Sequence, residues 1–150
     1  MKIVYLADQP QHIPDLAVLL FGEWGHLNAG ETLEKRVARL TSHSGRPGIP
    51  ATLIALEGDT LLGSASLVAN DLSTRPELSP FLASVFVLPA HRQQGVGSAL
   101  VRQVMHTAAL LGFPTLYLIT HDQQQLYAKL GWSAVEELDY RGETVTLMMC

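Results

Sequence analysis

Arg92-Gln93-Gln94-Gly95-Val96-Gly97-Ser98 is the run whose residue types and spacing point to chemistry. Its two glycines, one residue apart, carry no Cβ, so a bulky anion can come close to the backbone. An apolar strand pattern, Val85 to Leu88, leads into it and stops at Pro89, which has no N–H to give a ladder. A helical pattern leads out: Leu100, Val101, Val104, Met105, Ala108 and Leu111 share one face, with Arg102, Gln103, His106 and Thr107 opposite. Strand, Gly-rich loop and helix N-terminus aim free N–H groups and a positive dipole end at one point, which is where phosphate binds. Two common phosphate loops do not fit. Gly97-Ser98 lacks the Lys of a Walker loop. The third glycine of a dinucleotide fingerprint is Leu100 here, and Thr115-Leu116-Tyr117 stands where its acid belongs. The single cysteine, Cys150, is a poor nucleophile, with no base near it in sequence.

The elements that must position this loop can be read in order. Lys2 to Leu6 reads as a strand, followed by a polar turn from Asp8 to Gln11. Ile13, Leu16, Ala17 and Leu20 form a helical stripe that the run Phe21 to His26 is expected to break. A second helix is expected from Thr32, a plausible N-cap, with Leu33, Val37 and Leu40 inward. Ser42 to Pro50 reads as a loop. Thr52 to Glu57 and Leu61 to Val68 are strands about a hairpin at Glu57-Gly58-Asp59-Thr60. Asn70 to Pro80 is polar loop, and Leu82 to Leu88 the central strand. Gly112 and Pro114 end the long helix, and Thr115 to Thr120 is a strand. Asp122 and Gln125 suggest a capping box for a short helix closed by Gly131. Ser133 to Leu138 and Thr144 to Met149 form a last hairpin about Arg141-Gly142.

Composition narrows the function. The chain has 150 residues, 47% hydrophobic and 16% charged, which suits one globular domain spanning residues 1–150. A net charge of −4 without a Lys/Arg stripe argues against nucleic acid as partner. One cysteine cannot make an internal disulfide, and no apolar run approaches 18 residues, so the expected setting is the cytoplasm, with no membrane partner. No metal-ligand cluster is expected.

The run from Arg92 to Gly97, after Val87-Leu88-Pro89, resembles the acetyl-CoA loop of the GCN5-related N-acetyltransferases, the GNAT superfamily, which reads Arg/Gln-x-x-Gly-x-Gly/Ala. Leu126-Tyr127-Ala128-Lys129-Leu130-Gly131-Trp132 resembles that family's Tyr-x-x-x-Gly-Phe motif, with Trp for Phe. The element order is also the family's, so the resemblance covers nearly the whole chain. It implies an α/β (α+β) fold: a mixed central sheet of about seven strands with flanking helices. It also implies acetyl transfer from acetyl-CoA to a primary amine, on a small molecule or a peptide N-terminus, by direct attack in a ternary complex. A non-catalytic acyl-CoA-binding module of the same fold is the alternative.

On that resemblance, Gln93, Gln94, Gly95, Val96, Gly97 and Ser98 hold the pyrophosphate, with Arg92 ordering the loop or lying near phosphate. Backbone groups of Phe86, Val87 and Leu88 align the pantetheine arm, and an N–H near Val87 meets the developing oxyanion. Tyr127 protonates the departing thiolate, a phenol of pKa about 10 serving a thiol of about 8.5. The carboxylate that many relatives place on the central strand is missing from Phe81 to Phe86. His121 is the best substitute base by pKa, and Ser84 could order a water. Glu23, Trp24, His26, Asn70 and Asp71 are the candidates for the acceptor pocket. A monomer or a homodimer fits equally.

Overall fold

The first strand, β1 (Lys2–Tyr5), forms one edge of a seven-stranded sheet in a computed structural model that describes residues 1–27, 29–42 and 48–150. α1 (Ile13–Trp24) and α2 (Leu33–Ser42) follow it. The hairpin of β2 (Ala51–Glu57) and β3 (Thr60–Val68) leads through a long loop to β4 (Phe81–Val87). α3 (Val96–Leu110), β5 (Tyr117–Thr120), α4 (Gln124–Lys129), β6 (Ser133–Tyr140) and β7 (Glu143–Met149) complete the chain. The strand order is β1-β2-β3-β4-β5-β7-β6. β4 and β5 run parallel and every other neighbouring pair is antiparallel. The expected mixed sheet of about seven strands is therefore present. Arg141 and Gly142 both take positive φ, 52° and 80°, the backbone that a two-residue hairpin turn requires.

Each face of the sheet has its own core. Val96, Leu100, Val101, Val104 and Ala108 of α3, with Tyr127 of α4 and Trp132 after it, cover Leu53, Leu62, Leu82, Leu118 and Met148. The opposite face is covered in two parts. Ile13, Leu16, Ala17, Leu20 and Leu40 of α1 and α2 lie over Ile54, Leu61 and Phe86. Leu72, from the loop between β3 and β4, is buried with Phe81 and Leu147, beside Tyr117 and Ile119.

Several expectations need correction. The first helix does not break at Phe21: it runs through Gly22 to Trp24, because nothing at Gly22 demands a special φ and the apolar stripe carries it. Thr32 does cap α2, its Oγ1 accepting from Lys35 N at 3.1 Å, but Leu33 is exposed and Arg36 takes the inward position with Leu40. The Asp122–Gln125 box does not form: Gln123 is the N-cap, without a side-chain cap, and its N–H bonds Thr120 Oγ1 at 3.0 Å. Of the expected loop at 42–50, residues 43–47 lie outside the described residues.

Candidate active site

The sheet is open in the middle. Among the described residues, β4 and β5 pair only at Phe81↔Tyr117, and Tyr117 N donates to Pro80 O at 3.0 Å. Beyond that point the strands part towards Val87 and Thr120. A bulge in β4 helps. The register with β3 shifts between Ser64↔Phe86 and Ser66↔Ala83, and Ser84 stands at φ 54° inside the shift. Such an extra residue bends its strand, and a non-glycine residue at positive φ persists only where the surroundings hold it. Gly63 fits the same geometry: a Cβ there would lie 2.5 Å from Phe86 O and 3.2 Å from Val87 Cα. β3 can therefore approach the end of β4 only without a side chain at this position.

That approach decides which way Val87 faces. Leu88 N donates to Leu62 O at 2.9 Å. Backbone groups alternate in direction along an antiparallel strand, so those of Val87, paired with Gly63, point away from β3 and into the gap. Leu88, expected to offer its backbone to the cofactor, has its N–H committed to β3. Arg92 Nε donates to Val87 O at 2.9 Å, and its guanidinium stands 5.7 Å from the Phe86 ring centre. This bond ties the Arg92 side chain to the end of β4.

The loop before α3 opens with left-handed turns. Gln93 and Gly95 both take positive φ, 62° and 82°, and Gly95 is the N-cap of α3. Ala99 N, bonded to Gly95 O at 3.0 Å, is the first N–H spent inside the helix. The N–H groups of Val96, Gly97 and Ser98 precede it and have no helical acceptor. Left-handed turns followed by a helix start make a concave set of donors at a positive dipole end.

Tyr127 is buried on the α3 side, edge to face with Trp132 at 6.1 Å. Burial pushes its phenol up to about 12. The hydroxyl thus stays protonated at any working pH. It is a weaker acid than a free tyrosine, better suited to donating a hydrogen bond to a thiolate than to surrendering its proton. Cys150 is exposed as a residue, and the protein atoms beside its sulfur raise the thiol's pKa by partial desolvation, away from nucleophilic use.

On the opposite face, Trp24 meets Phe86 edge to face at 6.1 Å and walls the end of β4. Glu23 is exposed, roughly 100° round the helix from Trp24, and His26 is exposed beyond it. Asn70 is not free for an acceptor. Its Nδ2 donates to Arg75 O and Leu78 O at 3.0 and 2.9 Å, and its Oδ1 accepts from Leu72 N at 3.1 Å. These bonds organise the β3–β4 loop. Ser73 bonds the Tyr140 hydroxyl at 2.9 Å, and Arg75 pairs with Glu136 at 2.6 Å, fixing the loop on β6. Asp71, between Asn70 and buried Leu72, is open to solvent. Although the residue keeps solvent contact, protein atoms crowd its carboxyl enough to raise its pKa to about 6 by desolvation, against the pull of Arg141 and then Arg36. His121, one residue past β5, bonds Glu143 through Nε2 at 2.7 Å, both half exposed. Ile119 and Leu147 lie under the β3–β4 loop. His121 and Glu143 keep their parity, so both belong to that face.

Sequence reasoning missed Glu31, Arg36, Glu143 and Gly63. Glu31 accepts from Arg39 through both oxygens, at 2.7 and 3.0 Å, and lies 3.4 Å from Arg36. Its carboxyl is hidden beneath these two side chains rather than in the core, and the Arg39 bonds hold it below the usual carboxylate range. Arg36 is 6% exposed and its Nε has no partner, while burial lowers its pKa. A groove of about 510 Å³ between β1 and α3, lined by Ile3, Tyr5, Leu53, His106 and Leu110, lies at the far edge from the gap. Among the described residues, no helix is long and apolar enough to cross a membrane and no group of His, Cys, Asp or Glu could hold a metal.

A split sheet with a left-handed loop and helix start at its open end defines an acyl-CoA transferase architecture. The family model for the acetyltransferase (GNAT) family matches residues 15–132, so the chain belongs to that family. Solved structures share the fold. An aminoglycoside 6'-N-acetyltransferase complexed with coenzyme A superposes at TM-score 0.79 with 17% identity, covering 100% of this chain and 96% of that one. The ribosomal-protein-alanine N-acetyltransferase from Brucella melitensis gives 0.77 with 17% identity, over 100% and 99%. YncA from Salmonella typhimurium, solved with acetyl-CoA, gives 0.76 with 16% identity, over 99% and 92%. No curated protein matches the chain.

Proposed function

We propose that the protein transfers an acetyl group from acetyl-CoA to a primary amine, on a small molecule or a peptide N-terminus, by direct attack in a ternary complex. The observation that carries this reading is the gap between β4 and β5, with unspent N–H groups of Val96 to Ser98 at its open end. The pyrophosphate sits on that loop, and the pantetheine arm enters the gap from the side of α3. The Val87 N–H, which faces the gap, meets the thioester oxygen as it gains charge. The Tyr127 hydroxyl hydrogen-bonds the departing sulfur. The amine comes from the other face, between Trp24 and the β3–β4 loop, where Ser84 is in place to order a water. The fold neighbours' acceptors range from an aminoglycoside to a protein alanine, so the fold does not choose among amines.

The test is an acceptor panel of amino acids, polyamines, aminoglycosides and short peptides with free N-termini, read as acetylated product by mass. Acetyl-CoA-dependent product with at least one amine supports the reading. Tight acetyl-CoA binding with no product from any amine would favour the non-catalytic acyl-CoA-binding module.

A further inference from the structure

Arg92 brings a positive charge to the open end of the gap. Its Nε donates to Val87 O at 2.9 Å, and the backbone groups of Val87, paired with Gly63, face that gap. Its guanidinium carbon stands 5.7 Å from the centre of the Phe86 ring, which Trp24 meets edge to face at 6.1 Å. Phe86 and Trp24 belong to the core under α1 and α2, on the acceptor face. Two contacts therefore hold the guanidinium where the amine arrives. Its loop neighbours turn the other way: His91 and Gln94 line a hollow with Glu57 and Thr60 of the β2–β3 hairpin. Arg92 is exposed, and among the described residues no carboxylate pairs with it. Val87 O is a neutral acceptor for Nε alone, so the terminal N–H groups and the charge are left for an anion. The pyrophosphate has donors of its own in Val96 to Ser98.

We propose that Arg92 selects the acceptor by binding a carboxylate carried beside the reacting amine, so that the preferred substrate class is the free amino acid. This rests on the transferase reading above and narrows it. The spacing follows from Val87. Its N–H meets the thioester oxygen and its O holds Nε, so the reacting carbon and the guanidinium are anchored on one residue. An anion on the guanidinium fork then lies only a few bonds from the attacking nitrogen. An α-amino acid has that spacing, with one carbon between ammonium and carboxylate. A planar guanidinium also matches a carboxylate with paired N–H···O bonds. A peptide N-terminus puts an amide where the carboxylate would be and loses the contact. A polyamine or an aminoglycoside brings a further cation to the same fork and is repelled.

The experiment measures kcat and KM for a set of free α-amino acids, each beside its carboxamide and its decarboxylated amine, with rates compared per unit of neutral amine. Wild type, Arg92→Gln and Arg92→Lys are compared, with acetyl-CoA affinity measured for each. Gln keeps a donor for Val87 O without the charge, and Lys keeps the charge without the fork. Wild type should prefer the carboxylate over its carboxamide. Arg92→Gln should shrink that preference on the order of 10–100-fold, mainly through KM, and Arg92→Lys should shrink it less. The ratio of the two substrates cancels any general disturbance of the loop, which a merely structural Arg92 would cause equally for both. A wild type that acetylates amines with no preference for the carboxylate overturns the proposal and leaves the transferase reading standing. So does an unchanged preference in Arg92→Gln with weakened acetyl-CoA binding, which would assign the charge to the donor's phosphates. Absence of turnover by wild type on every amine, carboxylated or not, overturns both.

Discussion

Tyr127 shows how environment sets a residue's role. A free phenol could protonate a thiolate at modest cost, but burial at 8% exposure, with a pKa of about 12, makes full transfer steeply uphill. A hydrogen bond to the sulfur needs no such transfer. The expected loss in Tyr127→Phe is therefore that of one hydrogen bond to a charged group, on the order of 10–100-fold in kcat. Acetyl-CoA affinity should stay nearly constant because the ring keeps its packing on Trp132. Any alkaline limb below pH 10 should persist unchanged in the variant, since Tyr127 does not titrate there. A Tyr127→Phe enzyme with wild-type kcat would leave the residue with packing alone. Gly97→Asp tests the loop at the same scale. A Cβ at Gly97 meets Val87 Cγ2 at 3.4 Å, ordinary contact, and an acid in a helix's first turn is tolerated. The variant should melt like wild type yet lose acetyl-CoA binding, because its carboxylate occupies the pyrophosphate's place. Retained affinity in calorimetry would refute the phosphate assignment.

Among the elements, β4 matters most, because its end must leave β5 while staying on β3. Gly63→Ala should cost about 1–3 kcal/mol through overpacking against the Phe86 carbonyl, and should weaken acetyl-CoA binding by shifting Val87. Chemical denaturation and calorimetry read the two effects, and unchanged values in both would show that the close approach does not matter. Glu31→Gln tests the attachment of α2. The native carboxyl titrates below its ordinary range, so its contribution is present above that range and fades as pH falls through the lowered pKa. The variant should be about 1–3 kcal/mol less stable at pH 7, because Arg36 keeps its charge while losing a partner. The deficit should vanish at acid pH, and a deficit independent of pH would contradict the ion-pair account.

What was legible follows from the same scale. Strands, long helix and Gly loop were readable because periodicity and turn chemistry are local, as at Gly58 and Arg141-Gly142. The features that make the site were not. The Ser84 bulge arises from register against β3, and Gly63 is needed because of Phe86, 23 positions away in the numbering. Asn70 reads as a candidate for the acceptor pocket until the loop folds back on it, and Glu31 meets Arg36 and Arg39 only once α2 is wound. Leu33 and Arg36 exchange the roles that hydrophobicity alone predicts, since the site at Arg36 offers a carboxyl partner.

At the scale of the molecule, the sheet is two half-sheets joined at one parallel pair, with α3, Tyr127 and Trp132 forming one core over one face and Leu72 buried on the other. A cofactor in the gap would replace the missing ladder. Acetyl-CoA at 100 times its Kd should therefore add about 2.7 kcal/mol, seen as a higher Tm, and amide exchange should slow along β4 and β5. The three solved structures cover 99–100% of this chain, so the fold they share takes in nearly every residue of it.

On the function proposed above, acetyl passes directly from coenzyme A to an amine within this split sheet. Single-turnover release of free coenzyme A thiol tests it most directly, with enzyme in excess over acetyl-CoA, with and without an accepted amine, in wild type and Gly97→Asp. Stoichiometric thiol release is expected only when wild type and amine are both present, with no acetylated enzyme by intact mass. A burst of thiol from wild type without amine, leaving acetyl on the protein, would contradict it.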